Sequence, residues 1–304
     1  MTADNAGTLG TLISRTDKFP LVVPGVGTPL EALSAEAAGF NAIYLSGYAV
    51  AAWLHGLPDI GLLGARDTAE ALTSITRVTS LPVICDADTG YGDAASVHAT
   101  VQLLEHAGAS AIQIEDQTWP KKCGHLQDKE VIGADDAKRK IAAAVAARKN
   151  PNTLIIARTD ALGPLGVDEA IKRAQQFRAE GADILFIDAP ETLEQLTMIG
   201  SELGNSPLMV NMSEGGLTPA MSAGEFHALG FDIVMFPTTA LRVAAQAFER
   251  LFDHIREQED TRDWRDQMYG LDELNNLVRY EQFAQIDHRT AVNVPATDIS
   301  VALK

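Results

Sequence analysis

Lys121-Lys122-Cys123-Gly124-His125 sets a cysteine beside two lysines and close to a histidine. Positive charge near a thiol favours its ionised form, so Cys123 is expected to be the reactive cysteine. Cys85, in the apolar run Leu81-Pro82-Val83-Ile84-Cys85, is read as a small core residue. Gly124 frees the backbone to fold closely over a ligand. The segment follows Ile112-Gln113-Ile114-Glu115-Asp116 by a few residues. A cationic thiol loop just past an acidic strand end points to proton transfer on an anionic substrate. Lys121 and His125 would share that work with Cys123, although His125 also reads as an ordinary loop histidine.

Other polar residues stand where short apolar runs stop. Those runs end in Tyr44-Leu45-Ser46-Gly47, Asp86-Ala87-Asp88, Glu115-Asp116, Arg158-Thr159-Asp160, Asp188, and Asn211 with Ser213. Asp86 and Asp88 are two apart and would share a face of a regular strand. Hard carboxylate oxygens suit Mg²⁺, which keeps several waters and takes one or two carboxylates directly. Asp86 and Asp88 are the expected metal residues, with Glu115 and Asp188 holding its waters; Mn²⁺ is an alternative ion. Asp88 could instead be a turn residue before Gly90. Arg158 could grip a carboxylate through two donors, or form an ion pair with Asp86 or Asp160. Tyr44 is counted with the catalytic set. Asp59 follows Pro58 and could simply cap a turn.

The elements that would position these residues are legible. Eight Val-, Ile- and Leu-rich runs read as strands covered on both faces: 21–24, 42–45, 82–86, 111–115, 154–158, 184–187, 207–211 and 232–236. Helical spacing predicts helices over 28–38, 67–78 (with Asp67 as N-cap), 94–107, 135–148 and 167–179. Strand then helix, repeated over most of the chain, is the pattern of a (β/α)₈ TIM barrel. A doubly wound open sheet is the alternative, but no G-x-G-x-x-G follows the first strand. Residues 1–304 are read as one barrel domain, with 240–304 as a C-terminal helical segment for oligomer contacts. That segment is expected to hold helices over 240–255 and 271–286.

A net charge of −17 from 24 Lys+Arg and 41 Asp+Glu argues against nucleic acid as a partner. No apolar run is long enough for a membrane span, and Met1-Thr2-Ala3-Asp4-Asn5 does not read as a secretory signal. The expected partner is a small anionic carboxylate. The expected compartment is the cytoplasm, or the mitochondrion or peroxisome for a eukaryotic chain.

With these residues in place the chain resembles the isocitrate lyase and phosphoenolpyruvate mutase superfamily over roughly residues 20–240. The resemblance rests on 44–47, Gly56-Leu57-Pro58-Asp59, Asp86-Ala87-Asp88-Thr89-Gly90-Tyr91-Gly92, Ile114-Glu115-Asp116-Gln117, 121–125, Ala157-Arg158-Thr159-Asp160-Ala161 and Asn211-Met212-Ser213-Glu214-Gly215-Gly216. It implies a barrel whose last helix is exchanged between subunits of a homodimer or homotetramer. It implies Mg²⁺ at Asp86, assisted by Asp88, Glu115 and Asp188, with Cys123 as acid or base on a gating loop. A 2-oxo acid would touch Ser46, the Gly47 backbone and Arg158, and Asn211 and Ser213 would bind the other carboxylate. Tyr48, Asp59, Lys122 and Gly124 complete the implied substrate set.

The cysteine loop favours a carbon–carbon lyase over phosphonomutases of the phosphoenolpyruvate type, which lack it; a phosphonomutase of the carboxyphosphonoenolpyruvate type keeps the loop and stands as an alternative. Length points to the short 2-methylisocitrate lyases, whereas Tyr48 and Lys122 lean toward isocitrate lyase. Residues 269–274 resemble the dimethylmalate lyase and oxaloacetate hydrolase branch.

Overall fold

The computed structural model describes residues 4–14, 19–122, 124 and 128–291. All eight expected runs are strands: β1 (Leu21–Val26), β2 (Ile43–Leu45), β3 (Val83–Asp86), β4 (Ala111–Glu115), β5 (Leu154–Thr159), β6 (Ile184–Ile187), β7 (Leu208–Asn211) and β8 (Ile233–Phe236). They pair in parallel in chain order, and β8 returns to β1 with Leu21 opposite Ile233, so the sheet closes. Closure buries both faces. One cluster, including Val23, Tyr44, Ile84, Ile156, Phe186 and Met235, fills the barrel interior. A second, including Leu45, Cys85, Ile112, Ile155 and Leu185, packs under the surrounding helices. Cys85 is fully buried, as its apolar run implied.

The helix Asn5–Ile13 is an addition that the strand-helix repeat does not announce. Its Leu9 and Ile13 belong to the interior cluster, so it packs on the barrel's inner core. The helices Pro29–Ala37, Ala94–His106, Ala134–Ala147 and Val167–Ala179 fall where their spacing predicts. The predicted N-cap Asp67 is corrected. The helix Ala65–Thr76 starts at Gly64, and Asp67 sits inside its first turn, where Oδ2 accepts the Gly64 N–H at 2.8 Å. From that position the carboxylate accepts the N-cap N–H, where an N-cap side chain would accept an N–H of the first turn, and it suits the helix dipole.

By contact the chain divides at 243/244. The second unit holds the remainder of the helix Thr239–Gln258, a 3₁₀ turn Arg262–Gln267, and helices Leu271–Leu277 and Tyr280–Ala291. The single helix predicted over 271–286 is therefore broken. Asn275 and Asn276 are poor helix formers, and Arg279 takes a left-handed φ of 60° with its N–H bonded to Asn276 O. The apolar period runs across the break, so spacing alone hides it. Within this unit His254 and Arg250 pack on Trp264. Phe252, Leu271 and Phe283 are exposed. Among the described residues no helix is long and apolar enough to cross a membrane.

Gly200, in the helix Leu193–Leu203, backs directly onto the turn before β8: a Cβ there would lie 1.7 Å from Leu229 O. Backbone cannot yield as a side chain does. Gly200→Ala is expected to cost about 3 kcal/mol of unfolding free energy. Gly10→Ala, where a Cβ meets nothing within 4 Å, should stabilise the protein by about 0.5–1 kcal/mol. Urea midpoints of the two variants check both signs.

Candidate active site

The C-terminal ends of the strands gather the polar residues at one barrel mouth. Asp86, the last residue of β3, is held from several sides. Gly47 N–H donates to Oδ2 at 3.3 Å; Asp88 N–H and Gln113 Nε2 donate to Oδ1 at 3.1 and 3.3 Å. Tyr44 also hydrogen-bonds to Asp86; burial and the Asp86 charge push its phenol well above the usual value, so it stays protonated. The even strand face expected for Asp86 and Asp88 is broken, because Asp88 takes a left-handed φ of 47°. Its backbone instead turns to cover Asp86.

Lys121 reaches into this cradle and is almost fully buried. It forms ion pairs with Asp59 and, at 2.7 Å, with Asp88 Oδ1. Asp59 is thus an ionic partner rather than a turn cap. Burial alone would lower the Lys121 ammonium, but Asp88, Asp59, Glu115 and Asp86 outweigh it and hold the group well above its usual value. Burial pushes Asp88 up to about 6 against the pull of Lys121.

Arg158, near the end of β5, is the most constrained cation. Its Nε and Nη2 donate to Asp160 at 2.9 Å each, and Nη2 also donates to Asp188 Oδ2 at 3.0 Å. Glu115 Oε2 lies 3.2 Å from Nε. The Phe186 ring sits 5.3 Å below the guanidinium carbon, which adds a cation–π contact and fixes its plane. Of the two ion-pair partners considered from sequence, Asp160 is the one observed. Burial would raise the Asp160 carboxyl, but Arg158 and Lys129 hold it well below the usual range. Glu115 moves the other way: burial pushes it well above its usual value despite Arg158.

Ser46, Tyr48, Lys122, Gly124, Asn211 and Ser213 line the same cavity as Tyr44, Asp59, Asp86, Glu115, Lys121 and Arg158. Met235, Pro237 and Thr238, at the end of β8, also line it; the eighth strand carries no charge there to draw attention. Gly124 lies against the base of the site. A Cβ on it would fall 1.9 Å from Asp188 Oδ2 and 2.3 Å from Arg158 Nη2, so any side chain there would displace that pair. Cys123 and His125 lie outside the described residues.

Asp116, grouped with the acidic rim in sequence, has a structural role. It is buried and accepts from Thr159 Oγ1 at 2.7 Å, Asp160 N–H at 2.8 Å and Arg173 Nη1 at 2.9 Å. Lys129 and Gln113 went unnoticed in sequence. Lys129 sits in no motif of charged strand ends, and Gln113 is hidden inside an apolar run.

Six carboxylates (Asp59, Asp86, Asp88, Glu115, Asp160, Asp188) face three cations (Lys121, Lys129, Arg158) among the described residues. Two buried acceptors, Glu115 Oε1 and Asp188 Oδ1, have no hydrogen bond there, whereas Asp88 Oδ1 faces the Lys121 ammonium at 2.7 Å. Buried acceptors are seldom left so. No three His, Cys, Asp or Glu side chains among the described residues converge tightly enough to cage a metal alone.

The model of the family described as phosphoenolpyruvate phosphomutase matches residues 13–256. The chain belongs to the phosphoenolpyruvate mutase/isocitrate lyase superfamily. It is 44% identical to a 2-methylisocitrate lyase of Aeropyrum pernix, with 88% of this chain and 85% of that protein covered. The crystal structure of 2,3-dimethylmalate lyase, a member of the superfamily, superposes with a TM-score of 0.88 at 33% identity, covering 94% of this chain and 95% of that one. Phosphonopyruvate hydrolase, solved with oxalate and Mg²⁺, superposes with a TM-score of 0.84 at 31% identity, covering 95% and 99%. The superfamily relatives thus include named lyases.

Within this superfamily site, Asp116 is expected to act only through the fold. Arg173→Met strips its buried partner and should cost about 3–5 kcal/mol. Adding Asp116→Asn to Arg173→Met should recover part of that loss, as read from denaturant midpoints of the single and double variants.

Proposed function

We propose that the protein is a Mg²⁺-dependent carbon–carbon lyase for a 2-hydroxy di- or tricarboxylate of the 2-methylisocitrate type. It would release a 2-oxo acid, pyruvate or glyoxylate, with succinate or a related acid. The observation that carries this reading is the seating of Gly124 on the Arg158–Asp188 pair. It supports reading that pair as a carboxylate clamp next in sequence to the expected proton donor, with Glu115 and Asp188 oxygens left over that would suit a divalent ion.

Asp86 would hold the ion, with Asp88, Glu115 and Asp188 taking its waters. Bound there, Mg²⁺ supplies Lewis-acid stabilisation of a forming oxo group; Mn²⁺ is an alternative. Arg158 already spends Nε and Nη2 on Asp160 and Asp188, so a substrate carboxylate would meet its Nη1 side. Ser46 and the Gly47 backbone would bind the same oxo-acid end.

Loss of the hydroxyl proton to a base starts cleavage of the neighbouring carbon–carbon bond. The electron pair passes to the departing carbon and spreads into its carboxylate. Lys121, His125, Asn211 and Ser213 would stabilise that charge. Lys121 suits this role because its neighbours keep it an ammonium. Cys123 would deliver the proton that completes the second acid. Tyr48, Asp59, Lys122 and Gly124 would shape the pocket. Tyr44, placed in the catalytic set, would act by donating to Asp86.

Residues 240–304 are read as the oligomerisation segment, with exchange of the last barrel helix between subunits of a homodimer or homotetramer. Val243, Phe248, Phe252 and Ile255 leave an apolar stripe exposed along the helix Thr239–Gln258. Phe248 and Phe252 stack at 6.2 Å within it. An exposed stripe of this kind marks an interaction surface.

The reaction test is a panel of isocitrate, methylisocitrate, dimethylmalate and citramalate, assayed for 2-oxo acid release with and without Mg²⁺. Cys123→Ser should abolish turnover while pyruvate and Mg²⁺ still bind; unchanged turnover removes Cys123 from the chemistry. Oxalate plus acetate from oxaloacetate would reassign the protein as a hydrolase, and a new phosphorus–carbon bond as a phosphonomutase. Mg²⁺ at about a hundred times its Kd should add about 2.7 kcal/mol of stability, and Asp86→Asn should lose most of that gain in thermal melts. Phe252→Glu is expected to lower the oligomeric state seen by light scattering; an unchanged mass would refute the assembly reading.

A further inference from the structure

Lys129 stands outside the reaction described above, yet it is almost fully buried among its carboxylates. Its Nζ lies 2.9 Å from Asp160 Oδ1 and 3.5 Å from Asp188 Oδ2. Arg158 Nη2 donates to those same two oxygens, at 2.9 and 3.0 Å. The four atoms form a closed ring of alternating charge: ammonium, carboxylate, guanidinium, carboxylate. Without Lys129, Arg158 alone would face Asp160, Asp188 and Glu115 in a site shielded from water. Two buried carboxylates would then compete for one guanidinium edge, with Phe186 alone holding its plane.

The same lysine belongs to the limb by which the cysteine loop returns to the barrel. That limb is fastened at its base. Gln117 and Val131 form an antiparallel bridge, Thr118 N–H donates to Glu130 O at 2.9 Å, and Ile132 N–H donates to Asp116 O at 2.9 Å. Arg173 Nη1 donates to Ile132 O at 2.8 Å. On the outgoing limb Lys121 is fastened to Asp59 and Asp88. The Gln117 side chain also clasps Lys122 through both its N–H and its carbonyl, at 2.9 Å each. Between the limbs, Gly124 rests on Arg158 Nη2 and Asp188 Oδ2, two of the four atoms in the ring. A lysine suits this place: a single charged nitrogen on a flexible stem can serve two oxygens where a planar guanidinium would demand more room.

We propose that Lys129 is a positioning residue that couples the seating of the cysteine loop to the orientation of Arg158. Its ammonium ties the return limb to the two carboxylates that aim the guanidinium. Loop and clamp therefore reach their working geometry together. The proposal deepens the function proposed above, since it takes Arg158 as the oxo-acid clamp, and it concerns a residue that function does not use.

The test uses the full chain with Lys129→Met, and Lys129→Arg as a second variant that keeps the charge and protects against simple misfolding. Amide hydrogen exchange is read on the ligand-free proteins over 117–132. Oxalate binding with Mg²⁺ is read by calorimetry, and kcat and KM on whichever substrate turns over. Lys129→Met is expected to exchange faster in that segment and to bind oxalate about tenfold more weakly. Its kcat should fall by about 10²-fold, since small misplacements of a clamp are that costly. Stabilisation by Mg²⁺ alone should persist. Lys129→Arg should fall between it and the native protein. A lysine that merely stabilises the fold would lower the melting midpoint and leave oxalate affinity and kcat unchanged; that result, or unchanged exchange over 117–132, overturns the proposal. If the native protein binds no oxalate, the function reading falls, while the exchange comparison still decides the coupling.

Discussion

A guanidinium buried among three carboxylates organises the barrel mouth. Arg158 is within ion-pair distance of Glu115, Asp160 and Asp188, which come from three different strand ends. Taking such charges out of water is costly, and donors in good geometry offset that cost. The neighbouring structure follows from that demand. Lys129 shares the oxygens Arg158 already binds, Phe186 supports the guanidinium plane, and any side chain at Gly124 would displace the pair.

The same economy holds on the other side of the mouth. Lys121 is surrounded by Asp59, Asp88, Asp86 and Glu115, which keep it charged despite its burial. Asp86 is pinned by backbone and side-chain donors, so its position does not depend on Lys121. Asp86 is thereby fixed in place. Glu115 and Asp188 each keep a buried oxygen without a hydrogen bond, while Asp88 Oδ1 is paired with Lys121. This split sets the mouth apart from a network in which every oxygen is paired. Asp116 shows the contrast: three donors within 2.9 Å leave it fully committed to the fold.

The eight strands were legible because parallel barrel strands are buried on both faces and read as unbroken apolar runs. The acidic and basic residues at their ends were legible for the complementary reason: apolar runs stop where the chain emerges at the mouth. The misses have equally local causes. Asp67 was placed at the wrong cap position because a carboxylate can serve a helix start from either side of it. The break at Arg279 was hidden by an apolar period that continues through it. Gln113 and Lys129 escaped because neither the interior of a strand run nor the far limb of a loop announces where a side chain points.

The chain by itself determined the order of the eight strands, the acidic and cationic residue types at the mouth, and the family resemblance carried by its motifs. Each of those depends on local periodicity or on short stretches of adjacent residues. Only the tertiary structure decided which carboxylate meets which cation. Asp160 and Asp188 meet at one guanidinium although 28 residues separate them, and Lys129 joins them from a loop. Such pairings arise from barrel closure, which sets strand ends side by side irrespective of their distance along the chain.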